Sequence, residues 1–212
     1  MTDTPHPRLD ELIATLERLR APGGCAWDRE QTHASLVQYL VEESAELVDA
    51  IEAGDDDELI EELGDVLYQV LFHADIAAEA GRFTLEDVAA HMTKKMVGRH
   101  PHVFGDVVAD TADEVVVNWE ALKAVEKPER TSVLDGIPAG MPALALAEKT
   151  LGRAAKVGVT REAAAVPATE EALGAELLAL VSGARAAGLD AERALRSALR
   201  ILRDDVRVAE GA

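Results

Sequence analysis

The stretch YLVEESAELVDAIEAGDDDELIEELGDVLYQV, residues 39–70, carries twelve carboxylates between Glu42 and Asp65 and no Lys or Arg. Its apolar residues recur at helical spacing on both sides of Gly54, which predicts two amphipathic helices separated by a glycine stop. The earlier helix is expected over about Thr32 to Ala53, with Leu36, Tyr39, Leu40, Leu47 and Ile51 as its apolar face. The later one is expected to start at caps among Asp55, Asp56 and Asp57 and to run to about Ala80, ending at Gly81. So short a connection forces the two helices antiparallel, as a hairpin.

Within that hairpin Glu43 and Glu46 are three apart, and so are Glu62 and Asp65, so each pair occupies one face of its helix. Leu47 adjoins the first pair and Leu63, Val66 and Leu67 bracket Asp65, which turns both pairs toward the seam. Counted from Gly54, the pairs stand at similar heights. Carboxylates at about 5 Å repel by about 3 kcal/mol per pair at an effective dielectric near 20, so a cation is expected among them. An all-oxygen donor set selects a hard ion, Mg²⁺ or its substitute Mn²⁺, and Mg²⁺ held this way keeps positions for water and phosphate oxygens. The reaction expected of such a site is on a phosphate ester or anhydride. Asp49, Glu52, Asp55, Asp56, Asp57, Glu58 and Glu61 are expected to be solvated surface or caps. A di-iron bundle would need a Glu-x-x-His on each of two helices, and the chain offers only Glu30 to His33.

Outward from the hairpin the pattern stays helical, and an all-α fold follows. A first helix is expected over Pro7 to Arg20, broken by Pro22, Gly23 and Gly24. A fourth begins at TLEDV, where Thr84 and Asp87 have capping-box spacing, and ends near Gly98 and Pro101. HPHVFGDVVADTADE reads as a connection in which His100 and His102 act as caps or packing groups, and DEVVVNWEALKAVEK reads as a fifth helix. With 212 residues the chain forms one large domain or two small ones. Its 40 acidic and 21 basic residues give a net charge of −19. That charge argues against binding nucleic acid or an anionic membrane unless the cations are gathered in one place. No apolar run reaches the roughly 20 residues of a membrane span, and the polar start lacks a signal h-region. A single cysteine, Cys25, agrees with a reducing compartment, and a cytoplasmic location is expected.

From Pro128 the texture changes, with three prolines in KPERTSVLDGIPAGMP and no aromatic residue from Ala139 onward. The expected division is residues 1–127, a linker at 128–141, and residues 142–212 with helices over about Pro142 to Lys156, Thr169 to Ala187 and Asp190 to Ala209. ALGAELLALVSGARAAG and the helix after it repeat, weakly, ELGDVLYQVLFHADIAAEAG and its following helix. In that register Ala172 and Ala175 replace Glu62 and Asp65, while Ile201 and Asp205 replace Lys95 and Arg99.

With these residues in place the chain resembles the MazG family of nucleoside triphosphate pyrophosphohydrolases, in the all-α NTP pyrophosphatase superfamily. The family pattern EExxE followed by ExxD is present as Glu42, Glu43, Glu46, Glu62 and Asp65, supported by GGCAWDREQTHASL, ELGDVLYQVLFHA and GRHPHVFGD. The resemblance is close over about residues 8–127. Beyond them VLDGIPAGMPALALAEKTLGRAAKVG resembles the segment linking the two domains of longer members, followed by the back half of a second domain. The family commonly has Pro where this chain has Ala26.

The resemblance implies a helical-bundle catalytic domain with a degenerate, partial second repeat. It also implies an enzyme, with Mg²⁺-dependent attack of water on the α-phosphorus of a nucleoside triphosphate and a role in clearing nucleotide pools. Glu43, Glu46, Glu62 and Asp65 carry over as metal ligands, and Glu42 or Glu43 as the base that orients or deprotonates water. Lys95, Arg99, Trp119 and Lys123 carry over as triphosphate and base contacts, Trp119 by stacking. A homodimer is expected, because such hairpins bury their apolar faces by pairing. The alternative is a catalytically weak member acting as a nucleotide-binding sensor or a protein-interaction module.

Overall fold

The computed structural model describes residues 6–211, apart from the side chains of Glu120 and Ala124. It is all-α, with no strand among the described residues. The chain divides into two units, one up to Val115 and the other from Val116.

The first unit is built on α3 (Val37–Ala53) and α4 (Asp56–Glu79), which lie against each other as a hairpin. Gly54 closes α3 at φ 72°, a left-handed conformation that glycine adopts without strain, and its N–H donates to the Ala50 carbonyl. Asp55 then caps α4, its carboxylate accepting from the N–H groups of Asp57 and Glu58. α1 (Pro7–Arg20) packs on α4 and on the short α2 (Ala26–Glu30), while α5 (Leu85–Arg99) leaves α4 through a Thr84–Asp87 capping box and meets α6 (Pro101–Phe104). Leu16, Leu36, Leu71 and Phe72 form the core, with Tyr39 and Tyr68 against it.

Three local details differ from the periodic reading. α3 begins at Val37 rather than Thr32, because Thr32 and Ser35 bond each other's backbone N–H and divert the chain into a turn. α2 and α6, of five and four residues, are too short to show periodicity. Leu40, expected on the apolar face, is exposed at its edge, and Ile51, also expected there, is exposed outright. Ile51 belongs to an outward strip of α3 with Val37, Val41 and Val48, and α4 carries a comparable exposed strip in Ile60, Leu63, Leu67 and Val70.

Arg20 ties α1, α2 and α4 together. Its side chain, only 4% exposed, donates to the carboxylates of Asp75 and Glu79 and to the Asp28 carbonyl, and lies over the Phe72 ring. The turn after α1 is equally constrained: the Cys25 N–H donates to the Leu19 carbonyl, and a Cβ at Gly24 would collide with that same oxygen.

α7 (Ala112–Glu126) begins in the first unit and lies mostly in the second, with α8 (Ala143–Ala155), α9 (Glu170–Ala186) and α10 (Ala191–Glu210). The second core joins Leu134 and Ile137 to Leu146, Ala154, Leu199, Leu202 and Val206 of α8 and α10. Glu192 accepts the N–H of Ala143, and Arg196 donates to the carbonyls of Ala139 and Met141, so α10 holds the chain leading into α8. Among the described residues α9 meets no helix but α10, and none of its residues is buried. No single helix among the described residues is long and apolar enough to cross a membrane.

Candidate metal centre

Helical spacing puts Tyr39, Glu43, Glu46 and Ala50 on one side of α3, and Ala50 is buried, so that side faces α4. Across the seam α4 presents Glu62 and Asp65. One oxygen each from Glu43, Glu62 and Asp65 lies within 4.8 Å of the others. Glu46, one turn along α3 from Glu43, adjoins this trio, and its charge is among those acting on Glu43.

The electrostatics follow from the crowding. The Glu43 carboxyl titrates above its ordinary 4.5, first because burial penalises its charge and then because Asp65, Glu46 and Glu62 repel it. Glu62 is raised as well, by burial first and then by Glu46 and Asp65. The Oε2 atom of Glu62 is buried and has no hydrogen-bond partner. Such an oxygen costs free energy unless a proton or a cation reaches it. The residues therefore fit a hard divalent ion: three carboxylates converge, a fourth adjoins them, one oxygen is unsatisfied, and no His or Cys joins the set.

The remaining expected residues fall into three places. Glu42 is exposed on the flank of α3 beside the cluster. Lys95 is half-buried on α5, and Arg99, one turn later, is 6% exposed and engaged with partners. Trp119 and Lys123 are half-buried on α7, in the second unit, and both are engaged in contacts. His100 acts as a cap, its Nδ1 bonding the Met96 carbonyl at 2.6 Å, with the His102 ring beside it.

Two nearby features have no local signature in the sequence. His33, just before α3, meets His73 of α4 with Nδ1 atoms 2.8 Å apart and rings nearly parallel. The Arg82 guanidinium donates to His33 Nε2, an arrangement that leaves His33 Nδ1 to donate to His73 Nδ1. Burial first and His33 second hold the His73 pKa below 6.5. The other feature is Trp27 of α2, whose ring meets Tyr39 edge-on at 5.7 Å between centroids. Both pairings join residues far apart in the chain, so only their coincidence in space reveals them.

Residues 31–104, which include every carboxylate of the cluster, match the family model of the MazG nucleotide pyrophosphohydrolase domain. The chain is 50% identical over 213 residues to an uncharacterised 26.1 kDa protein of Streptomyces cacaoi, covering 99% of this chain and 85% of that one. It is 41% identical over 210 residues to the nucleoside triphosphate pyrophosphohydrolase/pyrophosphatase MazG of Thermotoga maritima, covering 90% and 81%. Its identity to the nucleoside triphosphate pyrophosphohydrolase of Escherichia coli is 45% over 154 residues, covering 71% of this chain and 59% of that longer one.

Proposed function

As the chain belongs to the MazG family of nucleotide pyrophosphohydrolases, we propose that it hydrolyses nucleoside triphosphates to a nucleoside monophosphate and pyrophosphate by attack of water on the α-phosphorus. The observation that carries this reading is the convergence of Glu43, Glu62 and Asp65 around a buried, unpartnered Glu62 oxygen. Glu43, Glu46, Glu62 and Asp65 would hold Mg²⁺, with Mn²⁺ able to substitute. The bound ion supplies charge neutralisation on the phosphates and acidifies coordinated water.

The chain's own residues do the rest. Glu43 at the seam and exposed Glu42 beside it are the two candidates for orienting or deprotonating the attacking water. Lys95 and Arg99 on α5 are the cations of the first unit suited to the negative triphosphate, while the assignment of Lys123 to the triphosphate and of Trp119 to the base rests on the family resemblance alone. Positioning and charge complementarity supply most of the catalysis that phosphoryl chemistry requires. We assign the activity to residues 1–127 and read residues 128–141 as a linker and 142–212 as a half-domain without catalytic groups, in a cytoplasmic enzyme. A homodimer is supported by the exposed apolar strips of α3 and α4, which a second copy would cover.

Incubation with Mg²⁺ and dATP, GTP or CTP is expected to give monophosphate and pyrophosphate. Diphosphate and orthophosphate would overturn the site of attack. Glu46→Ala and Asp65→Ala are each expected to abolish turnover with helicity intact, and retained activity would remove the metal assignment.

A further inference from the structure

Two buried oxygens on one stripe of α4 have no hydrogen-bond partner among the described residues, Oε2 of Glu62 and Oε1 of Gln69. Helical spacing sets the stripe. Glu62, Asp65 and Gln69 follow one another at three and four residues, the spacing that keeps side chains on a single face. Asp65 and Gln69 are therefore neighbours one turn apart, their Cβ atoms about 5–6 Å from each other. Oxygens of Glu62 and Asp65 converge with one of Glu43, so Gln69 holds the next place along the same wall of the seam. It is only 6% exposed, a neutral amide closed in beside a cluster of carboxylates.

Packing does not account for an amide there. A buried carbonyl oxygen without a donor costs free energy, and a leucine of similar volume would fill the position without that cost. As an acceptor, however, the amide has a property that a further carboxylate lacks: it carries no charge and adds no repulsion to Glu43, Glu46, Glu62 and Asp65. An orphaned acceptor calls for a donor, and a nucleotide that enters a carboxylate site with its cation brings O–H groups. We infer that Gln69 is a binding residue of this site, its carbonyl oxygen accepting a hydrogen bond from an O–H of the bound Mg²⁺ nucleotide. The inference rests on the reading of the seam as a nucleoside triphosphate site. The O–H belongs to a water on the ion or to a sugar hydroxyl, and the amide offers the same bond to either.

Gln69→Leu separates this role from a packing role, because the two predict opposite signs. In the metal-free protein Gln69→Leu is expected to melt at or above the wild-type temperature, since an orphaned polar group is removed. Calorimetric titration with Mg²⁺ and uncleavable α,β-methylene-dATP is expected to show about tenfold weaker binding in Gln69→Leu, the loss of about one hydrogen bond. Gln69→Glu keeps an acceptor oxygen and is expected to bind no more than about threefold weaker than wild type. Repeating the titration with the 2′,3′-dideoxy analogue locates the donor. If a sugar hydroxyl supplies it, the difference between wild type and Gln69→Leu vanishes. If ion-bound water supplies it, the difference persists and is seen with Mg²⁺ alone. Lower metal-free stability in Gln69→Leu, or affinity equal to wild type, overturns the inference while wild-type turnover leaves the enzymatic reading standing. Absence of any nucleotide turnover or binding by the wild type removes both.

Discussion

Glu43 and Glu62 stand on opposite walls of the α3–α4 seam, each pushed above its ordinary titration range by burial and by the carboxylates around it. Both respond to removal of one negative charge. Glu62→Gln is expected to raise the melting temperature of the metal-free protein, because repulsion is relieved. The same change should abolish the rise that Mg²⁺ produces in wild type. Turnover should fall by more than the 10–100-fold typical of groups outside the ligand sphere. Thermal shift with and without Mg²⁺, beside an activity assay, checks all three.

Acidity acts on the seam and on the histidine pair with opposite signs. For Glu43 and Glu62 the folded pKa lies above the unfolded 4.5, so between the two values the folded chain holds more protons and metal-free stability falls as pH rises. For His73 the folded pKa lies below the unfolded 6.5, so the unfolded chain holds more protons there and stability is lost as pH falls through that window. Melting temperatures followed from pH 4.5 to 6.5 are expected to show Mg²⁺ stabilisation growing with pH. A Glu43→Gln, Glu62→Gln double variant removes that growth, and His73→Asn removes the loss on the acid side.

Arg20→Met should be costly out of proportion to its distance from the carboxylates. Removing the buried guanidinium leaves Asp75 without its partner and the Asp28 carbonyl without a donor, a loss of about 3–5 kcal/mol in urea unfolding. Arg20→Lys is expected to recover little, since an ammonium cannot reproduce the planar fork that reaches three acceptors. Gly24→Ala belongs with it, because the added methyl forces the α1–α2 turn open.

In the second unit, Thr150 of α8 is fully buried and its Oγ1 has no hydrogen-bond partner. Thr150→Val replaces the hydroxyl by a methyl of the same shape and is expected to be neutral or to stabilise by about 1 kcal/mol, where Thr150→Ser should destabilise. Differential scanning calorimetry reads the sign directly.

The hairpin and its carboxylates were legible because their causes are local. Gly54, Asp55, Thr84 and Asp87 are punctuation that the backbone obeys, and a spacing of three on a helix puts two carboxylates on one face whatever surrounds it. What stayed hidden depends on distant partners. α2 persists because Arg20 and Gly24 hold it, neither of which alters a periodic pattern. Glu46 was expected to be equivalent to its three companions, and only the seam's geometry sets it beside the converging trio. Ile51 looked like a core residue because one face of α3 is apolar toward α4 and a second is apolar toward the outside.

That α9, among the described residues, lies against no helix but α10 and has no buried residue gives the second unit two rungs of local opening. The α8–α10 core must unfold as a whole to release its amides, whereas α9 can fray with the loss of little more than its contacts near the α9–α10 turn. Amide hydrogen exchange should therefore be fast along α9 and slow at Leu199, Leu202 and Val206. A protease that nicks the folded chain should find α9 before any helix of the carboxylate hairpin.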